Sequence, residues 1–250
     1  MSRTIAVRGT GHVTAEPDCI ELNLTLESRD PDYGGTMEKA SGQIERLNGV
    51  AKENGFGEKD LKTSSFQVSS DYEGVHDENG VYREVFRGYV CTQAVKLRFR
   101  FDMARLAALL SAIGTAWSGA EAVSGTAGRP ARRSAPKALQ SAPPAGTAPR
   151  IQISFTVLDP DAVKEALLRA AAADARENAR ILCDASGVRL GRLESIRYHW
   201  DELNVYSGTR LEMPEAAPRL AKNRAAVFDA GFTPEDVKVT DSAEFVWEIE

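Results

Sequence analysis

Several groups of residues have types and spacing that invite chemistry. Gly9-Thr10-Gly11 has the start of a phosphate-cradling loop. That chemistry needs a third glycine and a following helix whose first N–H groups face the anion. Position 14 is Thr14, and Glu16-Pro17-Asp18 and an alternating run come next. The glycines are therefore expected to serve a bulge or a close approach of backbones. His12, His76 and His199 are the three histidines, and none shares a plausible helix face with a second ligand at a spacing of two to four. A zinc site would need three or four such groups converging. Asp71, Glu73, Asp77 and Glu78 cluster around His76. Paired carboxylates doing acid–base work need partial burial. These stand in a polar loop, where weak cation binding is the chemical alternative to simple solvated charge.

No Gly-x-Ser-x-Gly elbow, His-Glu-x-x-His or Walker sequence occurs. Cys19, Cys91 and Cys183 are odd in number and far apart, which is neither a disulfide framework nor a metal pair. All three are expected to be reduced and buried. Arg180 precedes Cys183 by one helical step, the setting a reactive thiol would use, but on the packed face of its helix. Tyr198, His199, Trp200 and Tyr206 bring aromatics beside the polar segment 201–235. They are the candidate ligand or interface residues, for a small molecule or peptide in a cleft near 198–235; the alternative is a packed strand end. No catalytic, cofactor-binding or metal residue emerges, and neither an enzyme nor a cofactor is expected.

The elements that would position these groups follow from periodicity. Residues 4–13 alternate, as do 19–28, where Ile20, Leu22, Leu24 and Leu26 oppose a wet face of Glu21, Asn23, Thr25 and Glu27. The two runs are expected to pair as a hairpin. Tyr33, Met37, Ala40, Ile44, Leu47 and Ala51 make a helical stripe over 31–54, weakened by Gly34, Gly35, Gly42 and Gly49 and ended at Asn54-Gly55. Strands are expected at 61–72 and 84–101 about a tip at Glu78-Asn79-Gly80, with Lys96, Arg98 and Arg100 on a solvated face. A second helix follows with Met103, Leu106, Ala107, Leu110 and Ile113. Ile151 to Val157 reads as a strand. Asp159-Pro160 opens the longest helix, about 161–185, whose apolar face is Val163, Leu167, Ala170, Ala171, Ile181 and Leu182. Strands at 190–198 and 237–248 complete the pattern, with a short helix near 215–229. Gly55-Phe56, Asp60 and Lys62 recur at the same spacing as Gly231-Phe232, Asp236 and Lys238, a weak internal repeat.

Residues 116–150 differ in kind. From Ser124 to Arg150 the chain carries five of its 11 prolines and a charge of +5 with no acid. Such a segment buries too little apolar area to offset its ordering, and it reads as a flexible insertion. The net charge of the 250-residue chain is −5, so the remainder carries −10. An acidic body, with a basic insert lacking aromatics to stack on bases, argues against nucleic acid as a partner. No apolar run is long enough for a membrane-spanning helix. If Met1 is the native start, the interrupted N-terminal pattern is no secretory leader and the chain is expected in the cytoplasm.

These blocks resemble one family. GTGHVTAEPDCIELNLTLES, LKTSSFQVSSDY, GYVCTQAVKLRF, IQISFTVLDP, AAADARENARILCDASGVRLGRLESI and VKVTDSAEFVWEIE, in this order, are similar to the SIMPL-domain proteins, the YggE-like or periplasmic immunogenic protein family. The resemblance implies an α+β fold of mainly antiparallel sheets backed by two or three amphipathic helices. The resemblance covers nearly the whole chain except 116–150 and 201–230; one domain over 1–250 is expected, with two subdomains, about 1–115 and 151–250, as the alternative division. It also implies bacterial proteins that often work in the envelope, assemble into homo-oligomers and have been linked to stress tolerance, with no established catalytic residues. The expected function is therefore a non-enzymatic, self-assembling protein whose partner is itself. A binder or enzyme using the 198–235 cleft is the alternative.

Overall fold

The computed structural model describes residues 3–57, 59–76, 81–118, 148–199, 203–213 and 232–250. The elements run β1 (Thr4–Ala15), β2 (Cys19–Asp30), α1 (Tyr33–Glu53), β3 (Leu61–His76), β4 (Tyr82–Arg100), α2 (Met103–Ser118), β5 (Arg150–Thr156), α3 (Pro160–Ser186), β6 (Leu190–Arg197), β7 (Tyr206–Met213) and β8 (Val237–Ile249). They make the expected α+β fold of antiparallel sheets with three helices. One sheet has the order β1-β8-β6 and the other β3-β4-β2-β5-β7. The described residues fall into two compact units, one within 1–19, 154–210 and 234–250 and the other within 20–153 and 211–233.

In the first unit β8 is central. It pairs β1 without a bulge from Thr4↔Glu248 to Ala15↔Val237, and it pairs β6 on its other side. Alternation puts Val7, Gly9, Gly11 and Val13 of β1 on one face, beneath α3. Asp159 caps that helix by accepting the Ala162 N–H at 3.0 Å, and Gly187 ends it at φ 69°. The buried stripe of α3 is Val163, Leu167, Ala171, Ala175, Ala179 and Cys183. Ile181 and Leu182, expected on that stripe, are half exposed. The strict step of four carries the contact line through the small residues and past them. A Cβ on Gly9 would lie 2.0 Å from the Ala171 carbonyl oxygen, and one on Gly11 2.2 Å from that of Leu167. The glycine pair thus exists so that a helix backbone can rest on a strand. The Thr10 N–H on this edge strand donates to Asp174 Oδ2 of α3 at 2.8 Å, which blunts an otherwise open edge.

The expected hairpin of the first two strands does not form. β1 lies in the three-stranded sheet, and β2 lies between β4 and β5 in the other. The cause is the Pro17 turn: Asp18 donates its N–H to the Thr156 carbonyl (3.1 Å) and accepts the Leu158 N–H at its carboxylate (2.7 Å). That anchors the turn to a distant segment instead of folding it back.

In the second unit Leu22, Leu24 and Leu26 of β2 are buried, as the alternation requires. Glu21 on the supposedly wet face is buried too, held by Lys96 Nζ at 3.1 Å and Arg98 Nε at 3.5 Å. Two cations offset the desolvation that would otherwise exclude a carboxylate. α1 begins where Asp32 accepts the Gly35 N–H, and its buried face is Thr36, Ala40, Gln43, Leu47, Val50 and Ala51. Tyr33 is half exposed, so the stripe is rotated from the expected one. Two polar members are tolerated because Thr36 Oγ1 donates to the Asp32 carbonyl (2.9 Å) and Gln43 Nε2 to the Glu27 carbonyl (3.0 Å). Arg105 of α2 stacks 3.9 Å over the Phe56 ring and donates to the Gly55 carbonyl at 2.8 Å, closing the C-terminal turn of α1. Gly42 and Gly49 lie on the exposed face, and a Cβ added to either would meet nothing within 4 Å. Gly42→Ala and Gly49→Ala are each expected to stabilise the protein by about 0.5–1 kcal/mol, readable as a raised thermal midpoint.

β7 (Tyr206–Met213) forms where the periodicity predicts no element. The short helix near 215–229, the tip at Glu78-Asn79-Gly80 and most of the 116–150 insertion lie outside the described residues. Both halves of the weak repeat lead into strands, β3 and β8, with Gly231 outside the described residues. Among the described residues no helix is long and apolar enough to cross a membrane.

Candidate functional site

The residues that invited chemistry from the sequence are mostly occupied with structure. His12 lies on the exposed face of β1, its Nδ1 2.9 Å from Thr240 Oγ1. His76 meets the Tyr82 ring edge-on at 5.6 Å. Asp71 pairs with Arg29 Nη1 at 3.0 Å, and Glu73 pairs with Arg87; Asp77 and Glu78 lie outside the described residues. Tyr198 packs against the cluster of Val7, Ala175, Phe245 and Trp247, and its hydroxyl donates to Asp241 Oδ2 at 2.6 Å. His199 is exposed just after β6, and half-buried Tyr206 opens β7. Trp200 lies outside the described residues. Tyr198 is thus fixed as part of a core.

The cysteines are free and buried. Burial pushes the Cys91 thiol above its ordinary range, against the opposing effect of its side-chain hydrogen bonds with Gln93 and Ser28, which disfavours the nucleophilic thiolate. A thiol reagent such as DTNB is expected to label none of the three in the folded protein and all three after denaturation. Rapid labelling of Cys183 in the native state would revive a redox role.

The feature with no structural employment is the outer part of the β3–β4 hairpin. The inner part of β4 is regular, with Cys91, Val95, Leu97 and Phe99 buried on one face. Two irregularities interrupt the pairing. Ser64 is an extra residue in β3, between Thr63↔Val95 and Ser65↔Ala94. Arg87 is an extra residue in β4, between Asp71↔Gly88 and Tyr72↔Phe86. The second is a β-bulge, and Gly88 beside it adopts φ 134°. Counting through the bulge, Phe66, Val68, Tyr72 and His76 of β3 share the face of Tyr82, Phe86, Tyr89 and Cys91 of β4. That is the core face of the sheet, continued outward where nothing among the described residues covers it. Phe66, Tyr72, Tyr82 and Phe86 are each 46–58% exposed.

The rings are ordered against one another. Tyr33 meets Tyr89 at 5.5 Å, Tyr89 meets Phe86 at 5.4 Å and Phe86 meets Tyr72 at 5.6 Å, all edge-to-face. The Tyr82 ring lies over Gly74, where a Cβ would come within 2.5 Å of it. The reverse face holds the Arg29–Asp71 and Arg87–Glu73 ion pairs. The hairpin is therefore an arm with its rings on one face, where Glu84 stands opposite Gly74 between Tyr82 and Phe86, and with the ion pairs beside Val85 on the other. Sequence reasoning overlooked these residues as a site. The available signal was Phe86-Arg87-Gly88-Tyr89, where strict alternation breaks at a glycine. Asp71 and Glu73 of the arm are held in ion pairs, and among the described residues no group of three or more metal-ligating side chains gathers.

Residues 5–247 match the model of the SIMPL family, described as a protein of unknown function. Two curated relatives are the 26 kDa periplasmic immunogenic proteins of Brucella melitensis biotype 1 and of Brucella abortus strain S19. Each is 24% identical over 192 residues, 77% of this chain and 65% of the relative. The match thus spans just under two thirds of the relatives' length.

Proposed function

Because the chain belongs to the SIMPL family, we propose that it works by self-assembly rather than by catalysis, with the aromatic arm of β3 and β4 as its assembly surface. The observation that carries this is the continuation of a core face into solvent with ordered rings on it. An exposed apolar patch of this kind marks an interaction site, and a second copy of the same chain is the usual partner in soluble oligomers. The periplasmic relatives support placing this work in the bacterial envelope. A link to stress tolerance rests on the family resemblance alone. Multi-angle light scattering on the full chain at micromolar concentration is expected to give a mass that is a multiple of 27.1 kDa. Tyr72→Ser with Phe86→Ser is expected to lower that mass without unfolding the chain, since both rings are half exposed. A strict monomer at every concentration overturns the reading.

A further inference from the structure

The arm ends on an open edge, and that edge is complementary to itself. β3 is terminal in its sheet, with β4 its only neighbour among the described residues. It therefore presents a row of outward N–H and C=O groups able to pair with another strand. We infer that a second copy of this chain occupies this edge, β3 pairing antiparallel with β3 of the partner subunit about a two-fold axis at Ser69. The inference rests on the assembly reading above and names its contact.

The register follows from the side chains. From Ser65 to Glu73 β3 alternates regularly, because the extra residue Ser64 lies before this stretch and the other irregularity belongs to β4. A two-fold perpendicular to the sheet keeps each face continuous, so paired positions must share a face. With Ser69 at the axis, Phe66 stands opposite the partner's Tyr72, and by symmetry this happens twice. Both rings are more than half exposed in the single chain, and aromatic cross-strand pairs are among the stabilising ones. On the other face Gln67 stands opposite the partner's Asp71 and Ser65 opposite the partner's Glu73, so no two like charges meet. Moving the axis to Asp71 sets Asp71 against its own copy. Moving it to Tyr72 sets Asp71 against Glu73 twice. Among these registers, the Ser69-centred one alone pairs aromatics and separates the acids. The contact is isologous, which closes at two strands and leaves no new edge of β3.

Ser69→Cys tests this directly. At the axis the two introduced residues stand directly opposite, at about 4.5–5.5 Å between Cα atoms, within disulfide range. The native cysteines are buried and do not compete. Under copper-phenanthroline oxidation, Ser69→Cys is expected to run mainly as a covalent dimer on a non-reducing gel. Ser65→Cys, whose own copy lies far from it in this register, is expected to stay a single chain. A mixture of Phe66→Cys and Tyr72→Cys chains is expected to cross-link where each alone does not. Phe66→Asp, at an exposed position, is expected to lose the dimer while keeping its circular dichroism. If light scattering shows assembly but Ser69→Cys does not cross-link, or Ser65→Cys cross-links equally, the register is overturned and assembly stands. If every variant and the parent are monomeric, both are overturned.

Discussion

Replacing Gly9 or Gly11 by valine is expected to unfold the unit built from β1, β8 and α3. At Gly9 the added Cβ would meet the Ala171 carbonyl oxygen at 2.0 Å, the Ala175 Cβ at 2.5 Å and the Ala175 nitrogen at 2.7 Å; at Gly11 the Leu167 carbonyl oxygen waits at 2.2 Å. Most of these are main-chain atoms of a 27-residue helix, so no rotamer change relieves them. Lifting α3 would open the cluster that holds Val7 with Ala175 and Ala179, and the one of Val163 and Leu167 against which Val13 packs. It would also break the 2.8 Å bond from the Thr10 N–H to Asp174. Overpacking alone costs about 1–3 kcal/mol, and losing the seam as well brings the cost to roughly 4–5 kcal/mol or more. That is a large share of the roughly 5–15 kcal/mol typical of a domain. Thermal unfolding and amide exchange of β1 and β8 would read it. Alanine at Gly9 is already enough to clash, and Ala175→Gly is expected not to rescue it, because the Ala171 carbonyl remains. A folded Gly9→Val protein with a native melting temperature would show that the helix does not rest on the strand.

The glycine pair also shows how far the sequence could be followed. Gly-Thr-Gly without a third glycine pointed to a close backbone approach, and that is its use. The approaching element was not legible, because α3 begins some 150 residues later and only tertiary contact brings it there. Local signals transferred well: Asp159-Pro160 opens α3, and Asn54-Gly55 ends α1. Partner choice transferred poorly. β1 and β2 alternate alike and are adjacent in sequence, yet only the bonds of Asp18 to Thr156 and Leu158 reveal that they go to different sheets. Burial of Glu21 was hidden for the same reason, since its cations Lys96 and Arg98 come from another strand. The aromatic arm was illegible because bulges at Ser64 and Arg87 shift the alternation. A period-two count carried outward from Leu97 along β4 assigns Phe86 and Tyr82 to the opposite face.

Gly88 is expected to be as intolerant as the glycine pair, for a different reason. Its φ of 134° is a conformation that only glycine adopts freely. The position a Cβ would take is also blocked, 2.2 Å from the Asp30 carbonyl oxygen and 2.6 Å from the Pro31 Cα. Asp30 cannot easily yield, since its carboxylate is held by Lys39 Nζ at 2.6 Å and by the Asp32 N–H at 2.9 Å. Those two contacts, the lysine first, hold its carboxyl below the ordinary range. Gly88 also adjoins the Arg87 bulge that turns Phe86 and Tyr72 onto a common face, so strain there should reach the arm. Gly88→Ala is expected to cost on the order of 3 kcal/mol or more, summing backbone strain of about 1–3 kcal/mol with the clash, and to weaken assembly as well. Asparagine at a second glycine of positive φ gives the contrast. Gly187, at φ 69° with nothing within 4 Å of an added Cβ, sits in the left-handed region that asparagine accepts. Gly187→Asn should therefore lower the thermal midpoint little, while Gly88→Asn should lower it as far as alanine does. Equal, small effects at both positions would mean that the bulge relaxes and that the arm does not depend on Gly88.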